Sequence, residues 1–159
     1  MHFFVDDLED EWTFDTNFDF IFSRFMTGSI RDFPRYFKQC YEYVSLYYPG
    51  FPWLTSRPHS SLAPGGTLEL IDIIYPLASD DGSLKPEHAA QRWSILLQEG
   101  FAGNERPLNT ALKYKEQLAA VGFVDVVEVK EKWPINGWAK DKKYKHVGMF
   151  CVPMGVAGT

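Results

Sequence analysis

The sequence predicts an α/β layered domain, because short apolar runs typical of strands alternate with segments whose apolar residues recur at helical spacing. The run at residues 18–22 has almost no polar alternation, which favours a strand covered on both faces in a parallel sheet. A length of 159 residues with 45% apolar content suffices for one continuous core. In such a fold, ligands are expected at the carboxyl ends of the strands.

The N-terminal half is predicted to hold two strands and a helix. Residues 2–5 form a short apolar run that ends in an acidic loop, and residues 18–22 follow a turn signal. Asp32 occupies the N-cap position of a helix whose apolar face covers residues 32–44. Residues 45–61 contain three prolines within ten positions, so we expect an irregular surface excursion there.

The middle of the chain is predicted to form a strand and then a helix. A Pro-Gly-Gly turn at residues 64–66 leads into a β-branched strand over residues 67–74, with Asp72 near its carboxyl end. Pro86 suits the first turn of a helix that ends at Gly100 or Gly103. Its apolar face is expected to consist of Ala89, Ala90, Trp93, Leu96 and Leu97.

The C-terminal part is predicted to add one helix and two strands. Asn109 suits the cap of a helix that ends at Gly122, where a left-handed residue is needed. The valine-rich residues 123–129 are expected to follow as a strand. Residues 147–152 are expected to return antiparallel to that strand.

Composition argues against several functional classes. The formal charge is −5 and the basic residues are spread along the chain, so nucleic acid is not an expected partner. The two cysteines, Cys40 and Cys151, have no second cysteine or histidine at ligand spacing, and no metal site is expected. The sequence has no apolar run as long as a membrane span, and its start is acidic. We therefore expect an intracellular protein, cytoplasmic or nuclear, without membrane association.

Three motifs are modest individually and specific together: DD-x-EDEW at residues 6–12, R-x-M-x-GS at residues 24–29, and a Pro-Gly-Gly turn leading into E-L-x-D at residues 64–72. Their order resembles that of class I S-adenosylmethionine-dependent methyltransferases from the third strand onward, most closely the LaeA-like methyltransferases of fungi. Residues 117–126 are similar to the last helix of that family and the strand that follows it.

This resemblance implies a partial Rossmann-like methyltransferase sheet, without the first two strands and the Gly-rich loop, whose final strand is antiparallel. Residues 1–159 would be a single C-terminal portion of the domain, with an irregular insertion at residues 44–61. The sequence contains no G-x-G-x-G turn, and that turn normally forms much of the cofactor site. The chain alone is therefore expected to bind S-adenosyl-L-methionine weakly or not at all, and its exposed sheet edge to favour self-association.

The resemblance also assigns site residues. Asp7 would accept a hydrogen bond from the adenine amino group, and Leu8 would supply a backbone N–H and an apolar wall. The implied neighbours of the methionine part of the cofactor and of the substrate are Arg24, Phe25 and Met26. Tyr75 and Trp93 would lie on the substrate side. For Arg24, a surface salt bridge is an equally good interpretation of the residue alone.

The resemblance implies methyl transfer to a small molecule or a regulatory protein in fungal secondary metabolism. An activated sulfonium needs little acid or base help, so the protein would mainly position the acceptor and exclude water. No residue of the sequence is identified as a catalytic base. The alternative is a non-catalytic methyltransferase remnant that acts as an interaction module through its exposed sheet.

Overall fold

A computed structural model describes residues 5–14, 18–41 and 62–151 of the chain. It divides into two compact units, Met1–Val126 and Val127–Thr159. The described elements in chain order are β1 (Phe18–Arg24), α1 (Phe33–Tyr41), β2 (Leu62–Ile71), α2 (Ala89–Gly103), a 3-10 turn (Thr110–Lys113), α3 (Tyr114–Val121) and α4 (Lys142–Cys151). The prediction of an α/β fold is confirmed.

The two described strands form a parallel sheet. Pairs run in register from Phe20 with Thr67 to Arg24 with Ile71, whereas Phe18 already pairs with Leu62. The extra residues of β2 are therefore accommodated in a bulge at its start. Gly65 has a φ of +83° in this bulge, a backbone conformation that glycine adopts without strain. The predicted turn at residues 64–66 is thus wrong, because these residues lie inside the strand.

The sheet has one covered face rather than the two expected for residues 18–22. Ile21, Leu68 and Leu70 pack against the core from the inner face. On the outer face, Phe20 is 52% exposed and Phe22 is 50% exposed, and their rings stack with centroids 6.4 Å apart. The prediction of two covered faces fails because α1 packs on the inner face, and no described helix covers both phenylalanines on the other side.

Helix α1 forms the centre of the core, as its spacing predicts. Its buried face consists of Phe33, Tyr36, Phe37 and Cys40. The Arg35 N–H donates to Oδ1 of Asp32 over 2.9 Å, which is the expected N-cap contact. Tyr114 of α3 packs against this face, with its ring centroid 4.8 Å from that of Phe33. The helix is confirmed over Phe33–Tyr41.

Helix α2 lies where it is predicted but buries a different face. Trp93 is 54% exposed and Leu96 is also exposed, whereas the buried residue is Ser94. The Ser94 hydroxyl donates to the Gln91 carbonyl and accepts the N–H of Leu77, over 2.9 and 3.3 Å. The connection after β2 therefore packs on the polar side of α2. Spacing alone gives no information on which side of a helix a loop will occupy.

The helix before Gly122 is confirmed as a 3-10 turn followed by α3. Gly122 has a φ of +121°, and its N–H donates to the Ala119 and Leu118 carbonyls. The strand expected at residues 123–129 is wrong, because these residues have no regular structure. Val124 and Val127 are each 82% exposed. Strand propensity is not sufficient without a neighbouring strand to accept and donate the ladder hydrogen bonds.

The antiparallel final strand is also wrong, since α4 occupies Lys142–Cys151. Oδ1 of Asp141 accepts the N–H groups of Lys143 and Tyr144 over 2.8 and 3.2 Å and starts the helix. With no described strand beside it, this segment satisfies its backbone through local hydrogen bonds. Gly148 is buried against the Asn136 carbonyl, where a side chain would clash.

Some predictions fall on residues outside the described ranges. These are the strand over residues 2–4, the end of the first helix at Val44, the excursion at residues 45–61, and Val152. None of the helices in the described ranges is long and apolar enough to cross a bilayer.

Candidate functional site

The acidic loop that follows residue 4 has a defined conformation. The Asp7 carbonyl accepts the Asp10 N–H over 3.1 Å, and Oδ1 of Asp7 accepts the Glu9 N–H over 2.9 Å. Such a side-chain turn is typical of aspartate. The Leu8 carbonyl accepts the Trp12 indole N–H over 3.2 Å and the Gln39 amide over 3.1 Å. Because Gln39 lies in α1, the loop is attached to the core helix.

A second loop leaves the carboxyl end of β1. Phe25 has a φ of +56°, which is costly for an aromatic residue, and its N–H donates to the Ile71 carbonyl over 2.8 Å. The Met26 carbonyl accepts the N–H of Ser29 over 2.8 Å. Gly28, with a φ of +78°, lies against the side chains of Phe101 and Leu108, so a Cβ there would overlap both.

These two loops form the walls of an open cleft of roughly 590 Å³, within the range of small-molecule sites. The acidic wall consists of Val5, Asp6, Asp7, Leu8 and Glu9, and the second wall of Met26, Ser29 and Ile30. The cleft thus combines carboxylates with apolar side chains. It brings together three residues of the predicted cofactor site, Asp7, Leu8 and Met26.

The other predicted site residues lie outside the lining of this cleft. The Arg24 guanidinium lies 4.6 Å from the centroid of the Phe25 ring, and both side chains are exposed. Tyr75 and Trp93 contact one another edge to face, with ring centroids 6.3 Å apart. The structure therefore places the predicted residues in three groups: the cleft, the end of β1, and the segment after β2 together with α2.

Glu9 connects the acidic wall to two other segments. Its Oε1 accepts the Arg31 N–H over 2.7 Å, and its Oε2 pairs with the Arg106 guanidinium at 3.0 Å. The pKa of Glu9 is lowered, mainly by the Arg31 N–H and further by the charge of Arg106. No local sequence pattern predicts this contact, because Arg106 lies 97 residues away from Glu9.

Asp72 accepts a hydrogen bond from the loop that carries the second wall. It follows the last residue of β2, and its Oδ1 accepts the Thr27 N–H over 2.9 Å. Its Oδ2 accepts the Tyr114 hydroxyl over 2.8 Å. Burial raises the pKa of Tyr114 above its ordinary value of 10.0, so this phenol stays a donor well into the alkaline range. Asp72 was expected at the carboxyl edge of the sheet, and it lies there.

In the described part of the chain, no group of three or more His, Cys, Asp or Glu residues is arranged to hold a metal ion. The acidic loop instead uses its carboxylates for backbone N–H groups and for Arg106.

The chain is similar to fungal methyltransferases over most of its length. It is 33% identical to the probable methyltransferase TdiE of Emericella nidulans over 91% of the chain. It is 26% identical to the secondary metabolism regulator LAE1 of Cochliobolus heterostrophus over 89% of the chain, and 26% identical to the protein-methionine methyltransferase LaeA of Chaetomium globosum over 72%. These relatives are fungal methyltransferases that include LaeA-like proteins, and they support a place for the chain in a LaeA-like methyltransferase family.

The similarity to these relatives confirms the resemblance seen in the motifs. The alignments cover 39% of TdiE, 41% of LAE1 and 31% of LaeA, so the chain spans about two fifths of the length of the first two. No family model and no solved structure matches the chain.

Proposed function

We propose that this chain contributes the adenosyl-binding part of an S-adenosylmethionine-dependent methyltransferase site. The observation that carries the proposal is the cleft in which Asp7, Leu8 and Met26 meet. A carboxylate is complementary to the amino group of adenine, and the apolar side chains of Leu8, Met26 and Ile30 suit the faces of a purine. When bound, S-adenosylmethionine supplies a methyl group that its sulfonium already activates.

Within this proposal, the residues of the chain bind and orient rather than transfer protons. Asp7 uses Oδ1 for the Glu9 N–H, which leaves Oδ2 for the ligand. Arg24 and Phe25, at the end of β1, would lie toward the methionine part of the cofactor, with Tyr75 and Trp93 on the substrate side. The acceptor would be a small molecule or a regulatory protein in fungal secondary metabolism, in line with the names of the relatives.

A direct test is titration of the chain with S-adenosylhomocysteine, followed by NMR. We expect weak binding, with a Kd of roughly 0.1–1 mM, because the sequence contains no Gly-rich turn to hold the rest of the cofactor. No binding at millimolar ligand would contradict the proposal. Full-strength binding would contradict the predicted need for the Gly-rich turn.

A pair of matched variants locates the site. Asp7→Asn keeps an oxygen for the Glu9 N–H but presents an amide N–H₂ group, a donor, to the donor group of adenine. We expect it to weaken binding about fivefold or more, in line with a lost hydrogen bond to a charged group. Asp10→Asn removes the same charge from an exposed neighbour and should leave the affinity unchanged. Equal losses would mean that the loop acts only through its total charge.

The second candidate function is an interaction module without catalysis. The exposed pair of Phe20 and Phe22 on the outer face of the sheet favours it. This candidate predicts no S-adenosylhomocysteine binding, so the same titration separates the two functions.

A further inference from the structure

We infer that the Glu9 carboxylate is a positioning group that fixes the separation of the two walls of the cleft. The inference deepens the proposed function, and its structural part can be tested without a ligand. Glu9 itself belongs to the acidic wall. Its carboxylate oxygens contact Arg31, which directly follows the wall residue Ile30, and Arg106, which lies on neither wall.

The contacts of Glu9 differ in kind from those of its acidic neighbours. Asp6 and Asp7 bond to the N–H groups of residues one and two positions away, so they shape the acidic loop internally. Glu9 instead bonds to the N–H of a residue 22 positions away and pairs with a guanidinium 97 positions away. Within the described residues, Asp6 and Asp7 thus bond inside the acidic loop, whereas Glu9 reaches outside it.

The contacts of Glu9 with Arg31 and Arg106, called the Glu9 link, lie where they can affect the cleft. Ile30 is buried in the core, so the Arg31 N–H beside it is a fixed point. On the other wall, the neighbouring Leu8 carbonyl is held by Gln39 of α1. Glu9 therefore closes a ring that runs from the acidic loop through Arg31 and α1 back to Leu8. If the contacts of Glu9 are lost, the acidic wall is still attached to the core through Leu8 and Trp12, but its hydrogen bond to the segment beside Ile30 is gone, and we expect it to move more easily relative to Met26.

Arg106 makes the link sensitive to the segment after α2. The Arg106 N–H donates to the Phe101 carbonyl over 3.0 Å, so its backbone is tied to the end of that helix. Both side chains of the pair are about one-quarter exposed, at 27% for Arg106 and 25% for Glu9. A pair at this depth is screened by salt only in part, and its contribution depends on the ionic strength.

Hydrogen exchange tests the structural part of the inference in three variants. Glu9→Ala removes both contacts and should speed exchange in residues 5–14 about tenfold. Local opening of the loop then no longer has to break the hydrogen bond to Arg31 and the ion pair with Arg106. Arg106→Gln removes only the ion pair and should have a smaller effect, whereas Arg106→Lys should retain protection close to wild type. Glu11→Ala, at an exposed acid of the same loop, is the matched control. Unchanged exchange in Glu9→Ala would overturn the inference.

The ligand arm uses S-adenosylhomocysteine as the probe. We expect Glu9→Ala to lower its affinity three- to fivefold and Arg106→Gln about twofold, with Arg106→Lys restoring it. The loss in Arg106→Gln should shrink at high salt, which a merely structural defect would not produce. If the variants loosen the loop but the wild type binds no ligand, the proposed function fails and the positioning role stands. If affinity falls while loop exchange is unchanged, Glu9 contacts the ligand directly and the positioning role is wrong.

Discussion

Two ionisable side chains of helix α1, Tyr36 and Cys40, stay protonated because they are buried. Tyr36 is 3% exposed, and its hydroxyl contacts the Ser23 hydroxyl of β1. Cys40 is fully buried one helical turn later. Desolvation raises the pKa of both groups, to about 12 for the Cys40 thiol. Both groups are neutral in the folded core. In the unfolded chain they lose their protons at a lower pH than they do in the folded chain.

The pH dependence of stability follows from this difference. In the unfolded chain the Cys40 thiol ionises near its ordinary value of 9.0, whereas in the folded chain it stays protonated up to about 12. The folded state thus binds more protons between these values, and the free energy of unfolding falls as pH rises. Below pH 9 the contribution is fully present. By pH 10 the loss from Cys40 alone should be about 1.4 kcal/mol.

Urea unfolding under reducing conditions at pH 7.5, 9 and 10 measures this loss. Cys40→Ala should be less stable at pH 7.5 because of the small cavity, and it should lose less stability between pH 7.5 and 10 than the wild type. The remaining loss in that variant belongs to Tyr36 and Tyr114, whose pKa values are also raised by burial. Stability that is constant to pH 10 in the wild type would contradict the assignment.

At the scale of elements, predictions succeed where the information is local. Helix α1 could be predicted because its cap, Asp32, and its apolar spacing lie within one short stretch of sequence. The strands expected at residues 123–129 and 147–152 are wrong. Strand formation depends on a partner strand, which the local sequence does not specify. Asp141 was a local signal for the start of α4, because an aspartate at the N-cap accepts the N–H groups of the first turn.

The site follows the same rule. Asp7, Leu8 and Met26 were named from motifs within the first 29 residues, and the structure brings them to one cleft. Their role in binding stays a prediction. The Glu9 contact with Arg106 joins segments far apart in sequence, and the bond between Asp72 and Thr27 does the same across 45 positions. A single sequence holds no pattern that pairs such residues, because their approach depends on tertiary structure, such as the pairing of β1 with β2 that brings Thr27 to Asp72.

The cap of α1 gives a test at this scale. Asp32→Ala removes the acceptor of the Arg35 N–H and should lower the free energy of unfolding by about 1 kcal/mol. Asp32→Asn keeps a side-chain oxygen at the same position and is the matched control, with an expected change of a few tenths of a kcal/mol. Chemical unfolding of both variants measures the difference. A loss of similar size in both would mean that the charge of Asp32 matters more than its hydrogen bond.

At the scale of the whole molecule, binding and catalysis make different demands on the cleft. Methyl transfer requires the acceptor to be positioned and water to be excluded, whereas the cleft is open to solvent. Both of its walls come from the first compact unit, in which the elements from β1 to α3 lie. We therefore expect adenosyl binding to be a property of this unit, and turnover to need residues that the relatives have beyond the aligned two fifths of their length.

The outer face of the sheet carries two exposed aromatic side chains. Phe20 and Phe22 lie side by side on this face, next to Thr67 and Glu69 of β2. Ile21, by contrast, packs against the core from the inner face. In the described sheet β1 pairs with β2 alone, and a strand with one neighbour has backbone groups open to another chain.

We expect this face and edge to cause concentration-dependent self-association, because exposed apolar area at a strand edge favours pairing between chains. Phe20→Thr combined with Phe22→Thr should make the chain monomeric, since threonine keeps the strand propensity and removes the apolar rings. Trp93→Thr, at an exposed aromatic residue of α2, is the matched control and should not change the association. Light scattering across a dilution series measures the assembly, and hydrogen exchange locates the protected strand. A wild-type monomer whose β1 amides exchange slowly would contradict the expectation, because the edge would then be closed within one chain.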